Sequence, residues 1–271
     1  MDIYIYMKYA ILLLIVLCLS CSDKAGFSQQ WTDVDSAHVK ITNNKGSGDT
    51  ALWGTRNARV VLKHLLYRGG GNNLHLKDGV NKTYNQNPLP LSGIKNLQSA
   101  GFKQAIYLYS KNFETQYPQS RLDSLKKTGF NYQCRSKWEE AELEIFIAEL
   151  YEQIQAPPYQ PIYIHCWNGW HQSGLLSAVI LMQFCDLNNY QAIQYWEENT
   201  DGNNKGFAAV KTKILNFKKI SKYSISESQK KQICPCFTDK VMMAKPTDEI
   251  LKLEQEGNQG ADEFMEKNKK P

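Results

Sequence analysis

The chain has 271 residues, with 32 Lys and Arg against 27 Asp and Glu, for a net charge of +5. That length suits one domain of ordinary size plus tails. The charge is too small and too dispersed to argue for a nucleic-acid partner, although it favours an anionic ligand or surface. The five His are scattered without metal-ligand spacing, so neither a metal nor another cofactor is expected.

In chain order, Lys8 precedes an apolar run over 10–19, which meets Leu19-Ser20-Cys21-Ser22-Asp23. A positive residue before a short apolar core reads as an export signal, too short to span a bilayer. Met7 is an alternative start, because MKYAILLL is a more ordinary signal opening. Ser20 before Cys21 resembles the bacterial lipoprotein cleavage box, with Cys18 standing where that box usually has Leu. The resemblance implies a signal peptide over 1–21 and a lipid anchor on Cys21. It places the protein in a bacterial cell envelope, on the membrane and outside the cytoplasm, either periplasmic or surface-facing. Residues 22–50 are polar and read as a flexible tether.

Residues 51–220 alternate strand and helix signals. The run over 65–70, LLYRGG, reads as a strand. Residues 91–97 read as a helix with Ser92 as N-cap, closed by Gly101. The β-branched and aromatic run QAIYLY over 104–109 reads as a strand. A short helix over 121–127 closed by Gly129 and a strand over 131–134 come next. Leu143, Phe146, Ile147, Leu150 and Tyr151 form a helical stripe over 139–155. A strand over 161–164 and helices over 175–185, 190–199 and 207–217 complete the pattern. This order predicts an α/β fold, a central mostly parallel sheet flanked by helices, with its site at a strand's carboxyl end. Residues 221–271 are polar and charged and read as a disordered tail.

Between the strand over 161–164 and the helix over 175–185 lies His165 to Gly174, HCWNGWHQSG. A tight loop feeding a helix N-terminus points backbone N–H groups inward as an anion cradle. The same field favours a thiolate at its centre, and the thiolate is the nucleophile. Gly169 permits a backbone conformation that a Cβ forbids. A buried strand-end Cys packing as a small hydrophobe is the plain alternative.

The loop resembles that of the cysteine-based tyrosine and dual-specificity phosphatases, which reads HC, five residues, Arg, then Ser or Thr. The Leu65–Gly70 run is similar to the YRG strand of bacterial members, and residues 91–109 follow the family's next helix and strand. The resemblance spans roughly residues 50–220. It implies a protein-tyrosine-phosphatase-like fold with Cys166 as nucleophile and Ser173 assisting the leaving thiolate. Trp167, Asn168, Gly169, Trp170, His171 and Gln172 then bind phosphate, and His165 packs beneath the loop.

Two departures weigh on that reading. Gln172 stands where the family has Arg; its amide donates hydrogen bonds but carries no charge. Charge-assisted bonds are roughly twice as strong as neutral ones, so the swap weakens phosphate binding by a few kcal/mol. The family's upstream general-acid Asp has no counterpart in Cys134 to Glu140, which offers Glu139 or Glu140 instead. Both are also explained as helix N-terminal acids favoured by the dipole. A protonated His171, Arg68 or Arg135 are candidates to restore charge. Trp167 and Trp170 either stack on a ligand ring or pack the loop shut.

Apart from Cys18 and Cys21, five Cys remain, which fits two disulfides plus a free Cys166. A Cys134–Cys166 bridge and a Cys234–Cys236 redox pair are further options. The function expected is phosphoester hydrolysis by a Cys nucleophile in an HCx5Q loop. The alternative is an inactive or weak pseudophosphatase that binds a phosphorylated or other anionic ligand. A Cys hydrolase of some other ester is the third class.

Overall fold

The computed structural model describes residues 34–42, 52, 54–71, 88–136 and 138–256. Side chains alternate across a strand, and the central strand shows this directly. In β5 (Ile162–Cys166), Ile162 and Ile164 join one apolar cluster, whereas Tyr163 joins the other. In β3 (Gln104–Tyr107), Ile106 takes the first face and Ala105 and Tyr107 the second. The sheet therefore has two buried faces and a core on each.

Five strands run in the order β1-β2-β5-β3-β4, with β1 at Thr55–Leu62, β2 at Leu66–Gly71 and β4 at Asn131–Cys134. The β2–β5, β5–β3 and β3–β4 pairings are parallel. The β1–β2 hairpin is antiparallel, so the sheet is mixed. The sequence reading lacks β1. Arg56, Asn57 and Arg59 interrupt its apolar pattern, yet all three are buried.

Helices α1 (Leu91–Ser99), α2 (Phe113–Gln116) and α3 (Gln119–Lys127) supply Ile94, Leu97, Phe113 and Leu125 to the Tyr-rich face. The N-cap of α1 is Pro90, not Ser92, which is the second residue inside the helix. The other face holds α4 (Glu140–Gln155), α5 (Gln172–Cys185), α6 (Asn189–Glu198) and α7 (Ala208–Asn216). Residues 173–184 of α5 are buried without exception, which is the pattern of a helix surrounded by core. Its N-terminus follows the loop after β5 and is held by the middle of the fold.

Residues 221–256 are not a disordered tail. They form α8 (Glu227–Ile233), α9 (Asp239–Met242) and a helical run over 248–256. Ile233, Val241 and Ile250 plug the core from sparse apolar positions. A disulfide joins Cys185 at the end of α5 to Cys234. It is the one disulfide among the described residues, and Cys134, Cys166 and Cys236 are free thiols. Two bridges and a Cys234–Cys236 pair are thus corrected, and so is a Cys134–Cys166 bridge.

The tether reading also needs correction over 34–42. Ser36 bridges Cys236, Ile41 N–H donates to the Ala58 carbonyl at 2.8 Å, and Ala37 and Thr42 are buried. This segment covers the outer edge of β1, where unpaired backbone groups need partners. Residues 1–33, with the signal peptide and Cys21, lie outside the described residues.

Candidate functional site

The site is built on the carboxyl end of β5. Its neighbours β2 and β3 are both parallel to it, so three strand ends converge there. Cys166 is the last residue of β5 and is 3 % exposed. Its Sγ lies 3.3 Å from the Ser173 Oγ in the first turn of α5. Ser173 Oγ donates to the Gly69 carbonyl at 3.1 Å. One hydroxyl proton serves that bond, so the thiol is the donor to Ser173 in this state. A thiolate would draw the hydroxyl proton to itself, which is the behaviour expected of a residue that steadies a leaving sulfur.

His165 is fully buried beneath the loop. Its Nδ1–H donates to the Cys166 carbonyl at 3.2 Å, and its Nε2 accepts from the Tyr132 hydroxyl at 2.9 Å. Those two bonds fix the neutral tautomer. The ring also stacks on Tyr107 at 4.9 Å. Burial pushes its pKa down to about 3, the Cys166 carbonyl opposing. His165 is a support for the loop and no proton donor at neutral pH.

Outer donors hold the loop backbone. Asn57 Nδ2 donates to the Asn168 carbonyl at 2.8 Å and Arg56 Nη1 to Asn168 Oδ1 at 3.0 Å. Arg68 Nη2 donates to the Gly169 carbonyl at 2.8 Å. A trans peptide sets C=O and N–H on opposite edges, so the Trp170 N–H points away from Arg68. Gly169 has φ +78°, and a Cβ there would stand 2.7 Å from the Gly69 carbonyl carbon. Only glycine lets the loop lie this close to β2.

The remaining loop side chains face different surroundings. Trp167 donates from Nε1 to the Tyr107 hydroxyl at 2.9 Å and stacks on Tyr109 at 4.8 Å. Trp170 donates from Nε1 to Asp201 Oδ2 at 3.1 Å. Both indoles thus have packing partners within the protein. The Gln172 side chain lies beside the Tyr109 hydroxyl and favours its ionised form. Burial is the main cause that raises the Tyr109 pKa, with the nearby Cys166 adding to it.

His171 does not restore charge. Its ring stacks on Phe207 at 3.6 Å and its Nε2–H donates to the Asn203 carbonyl at 2.7 Å. Burial lowers its pKa against that hydrogen bond, so the neutral ring is favoured. Arg135 is engaged elsewhere, in a two-bond ion pair with Glu149 at 2.7 and 2.9 Å. Arg68 is fully buried behind the loop.

Glu139 is the N-cap residue of α4 but makes no capping bond from its side chain. It lines a groove of about 800 Å³ together with Glu140, Gln172, Leu175, Lys213 and Phe217. The groove therefore places Glu139 and Gln172 on one surface. Sequence reasoning passed over Arg56, Asn57 and Tyr132. They come from other strands and have no motif of their own; only the fold brings them to the loop. No cluster of metal-ligating side chains occurs among the described residues.

No protein-family model matches the chain, and neither does any curated protein. Among solved structures, it is similar to the core catalytic domain of the PP-IP phosphatase SIW14 from S. cerevisiae in complex with citrate. There the identity is 19 %, the match covers 60 % of this chain and 85 % of that one, and the TM-score is 0.39. It is similar as well to TpbA from P. aeruginosa, at 12 % identity, 59 % and 86 % coverage and a TM-score of 0.39. A variant of TpbA in complex with phosphotyrosine matches at 12 % identity, 58 % and 92 % coverage and a TM-score of 0.32.

Proposed function

We propose that the loop from Cys166 to Ser173 binds a phosphoryl group and that Cys166 hydrolyses its ester. The observation that carries this is the Cys166 Sγ set 3.3 Å from Ser173 Oγ at the junction of a central strand and a buried helix. The first N–H groups of α5 have no intrahelical acceptor and favour an anion in front of them. A thiolate at Cys166 attacks phosphorus and the bond to the ester oxygen breaks. Glu139 gives that oxygen its proton. Water then attacks the phosphocysteine, releasing phosphate and restoring the thiolate, with Ser173 donating to the departing sulfur.

The neutral Gln172 favours a second reading, in which the loop binds an anionic ligand with little or no turnover. Under either reading we infer export and lipidation at Cys21, with the protein held outside the cytoplasm. The Cys185–Cys234 disulfide supports an oxidising compartment.

Turnover of an aryl phosphate by the full chain tests the proposal, with Cys166→Ser and Gln172→Arg run beside the wild type. Hydrolysis that Cys166→Ser removes supports the enzyme. Silence in the wild type with activity in Gln172→Arg supports the binding protein. Silence in both sinks the hydrolase reading.

A further inference from the structure

No loop side chain from Trp167 to Gln172 is a cation at neutral pH, since His171 is held neutral. The positive charge lies behind the loop. Arg56 and Arg59 of β1 and Arg68 of β2 are 7, 2 and 0 % exposed. Arg56 bonds to Asn168 and its guanidinium lies 5.8 Å from the centre of the Trp170 ring. Arg59 Nη1 donates at 3.0 Å to the carbonyl of Asn57, whose own amide holds the Asn168 carbonyl. Arg68 bonds to the Gly169 and Asn199 carbonyls at 2.8 and 3.0 Å. Arg68 Nη1 sits under the first turn of α5, 3.0 Å from where a Gly174 Cβ would be. That atom, Arg68 Nε and Arg59 Nε have no hydrogen-bond partner among the described residues.

Among the described residues, acids balance Arg59 and Arg68 only in part. Asp201 Oδ1 lies 3.6 Å from Arg59 but 2.7 Å from Lys40, and Arg56 is also in its field, so it answers three cations. Glu198 is turned to His38, Thr238 and Lys240. Burying unbalanced charge is costly unless an anion joins it.

We propose that Arg56, Arg59 and Arg68 form a buried cationic platform that supplies from beneath the loop the charge Gln172 lacks. The ligand it selects is a tetrahedral oxoanion carrying two negative charges, free or as a phosphomonoester. This rests on reading the loop as the anion site. The field reaches the ligand through the peptides: Arg68 polarises the Gly169 carbonyl and so strengthens the Trp170 N–H as a donor. Arg59 remains a cation at neutral pH, because burial and the neighbouring Arg68 bring its pKa only to about 10. Cys166 lies within the field of Arg56. All three are positioning residues in this scheme.

Calorimetric titration of the full chain with tungstate, at low and moderate salt, tests the platform. Arg56→Met should weaken binding about tenfold, the scale of one unit charge acting across a site of effective dielectric about 20. Arg56→Lys should retain most of the affinity. Asp201→Asn, which removes a counter-charge, should tighten binding several-fold, an effect that loss of structure does not produce. Gln172→Glu reports on the loop itself and should abolish binding. If Gln172→Glu abolishes binding while Arg56→Met matches the wild type, or Asp201→Asn weakens it, the platform is wrong and the loop reading stands. If the wild type does not bind tungstate, or Gln172→Glu leaves its binding intact, the loop reading fails and the platform with it. Circular dichroism of each variant separates misfolding from lost charge.

Discussion

Single atoms decide whether the loop forms. Gly169 combines a φ of +78° with a backbone neighbour 2.7 Å from where its Cβ would be. Left-handed backbone costs an ordinary residue about 1–2 kcal/mol. The contact adds strain that rigid strand β2 cannot relieve by moving a side chain. Gly169→Ala should therefore cost about 2–4 kcal/mol. Gly129 is the matched control, since it has the same φ of +78° with nothing within 4 Å of its Cβ position. Gly129→Ala should cost only the backbone part. Urea unfolding of the two variants checks this. Equal losses would mean that close approach to β2 plays no part.

At the scale of elements, the sequence was most legible where chemistry is local. The strand, loop and helix around Cys166 follow from residues adjacent in the chain; β5 and α5 cover the expected runs, with α5 starting three residues early at Gln172. Strand β1 and the segment over 221–256 were not legible. In β1 the buried positions include Arg56, Asn57 and Arg59, and Arg56 and Asn57 bond to the loop after β5, more than a hundred residues away. In the C-terminal segment a few residues, Ile233, Val241 and Ile250, are buried within a polar stretch. Cys185–Cys234 fixes that stretch to α5 across 49 residues of chain. In the chain-entropy account, closing a loop of that size contributes about 4 kcal/mol. Cys234→Ser should lower stability by about that much in denaturant unfolding, with 227–256 becoming the first region open to proteolysis. Tungstate affinity should change little, because the bridge joins the end of α5 opposite the loop. A Cys234→Ser protein as stable as the wild type would show that core contacts alone hold the segment.

The whole molecule should be sensitive to acid from its centre outward. Three histidines are held below the usual imidazole pKa of 6.5, with burial as the largest cause in each. His165 sits under the loop among Tyr107, Tyr132 and Tyr163, with no acid against its ring among the described residues. His171 meets Phe207, Trp170, Trp196 and the Asn203 carbonyl. His38 faces Glu198, which opposes the shift, while Arg59 and Arg68 reinforce it. A lowered folded pKa means that the unfolded chain takes up protons first. Their neutral burial thus contributes fully above about pH 6.5, and that contribution is lost as pH falls toward each folded pKa. For His165 the window extends down to about 3. Each histidine adds a slope of up to about 1.4 kcal/mol per pH unit inside its window. Asp186 and Asp201 are held below the usual carboxylate range, against partial desolvation, by bonds from Lys219 and Lys230 and from Lys40 and Trp170, and they lose their contribution in the same direction at lower pH. Urea unfolding at pH 7.5, 6, 5 and 4 should show stability falling throughout. His165→Asn offers a donor and an acceptor to the same two partners but does not titrate. It should fall less steeply between pH 6 and 4 than the wild type. Parallel curves would place the acid-sensitive group elsewhere and leave the loop's support untouched by protons.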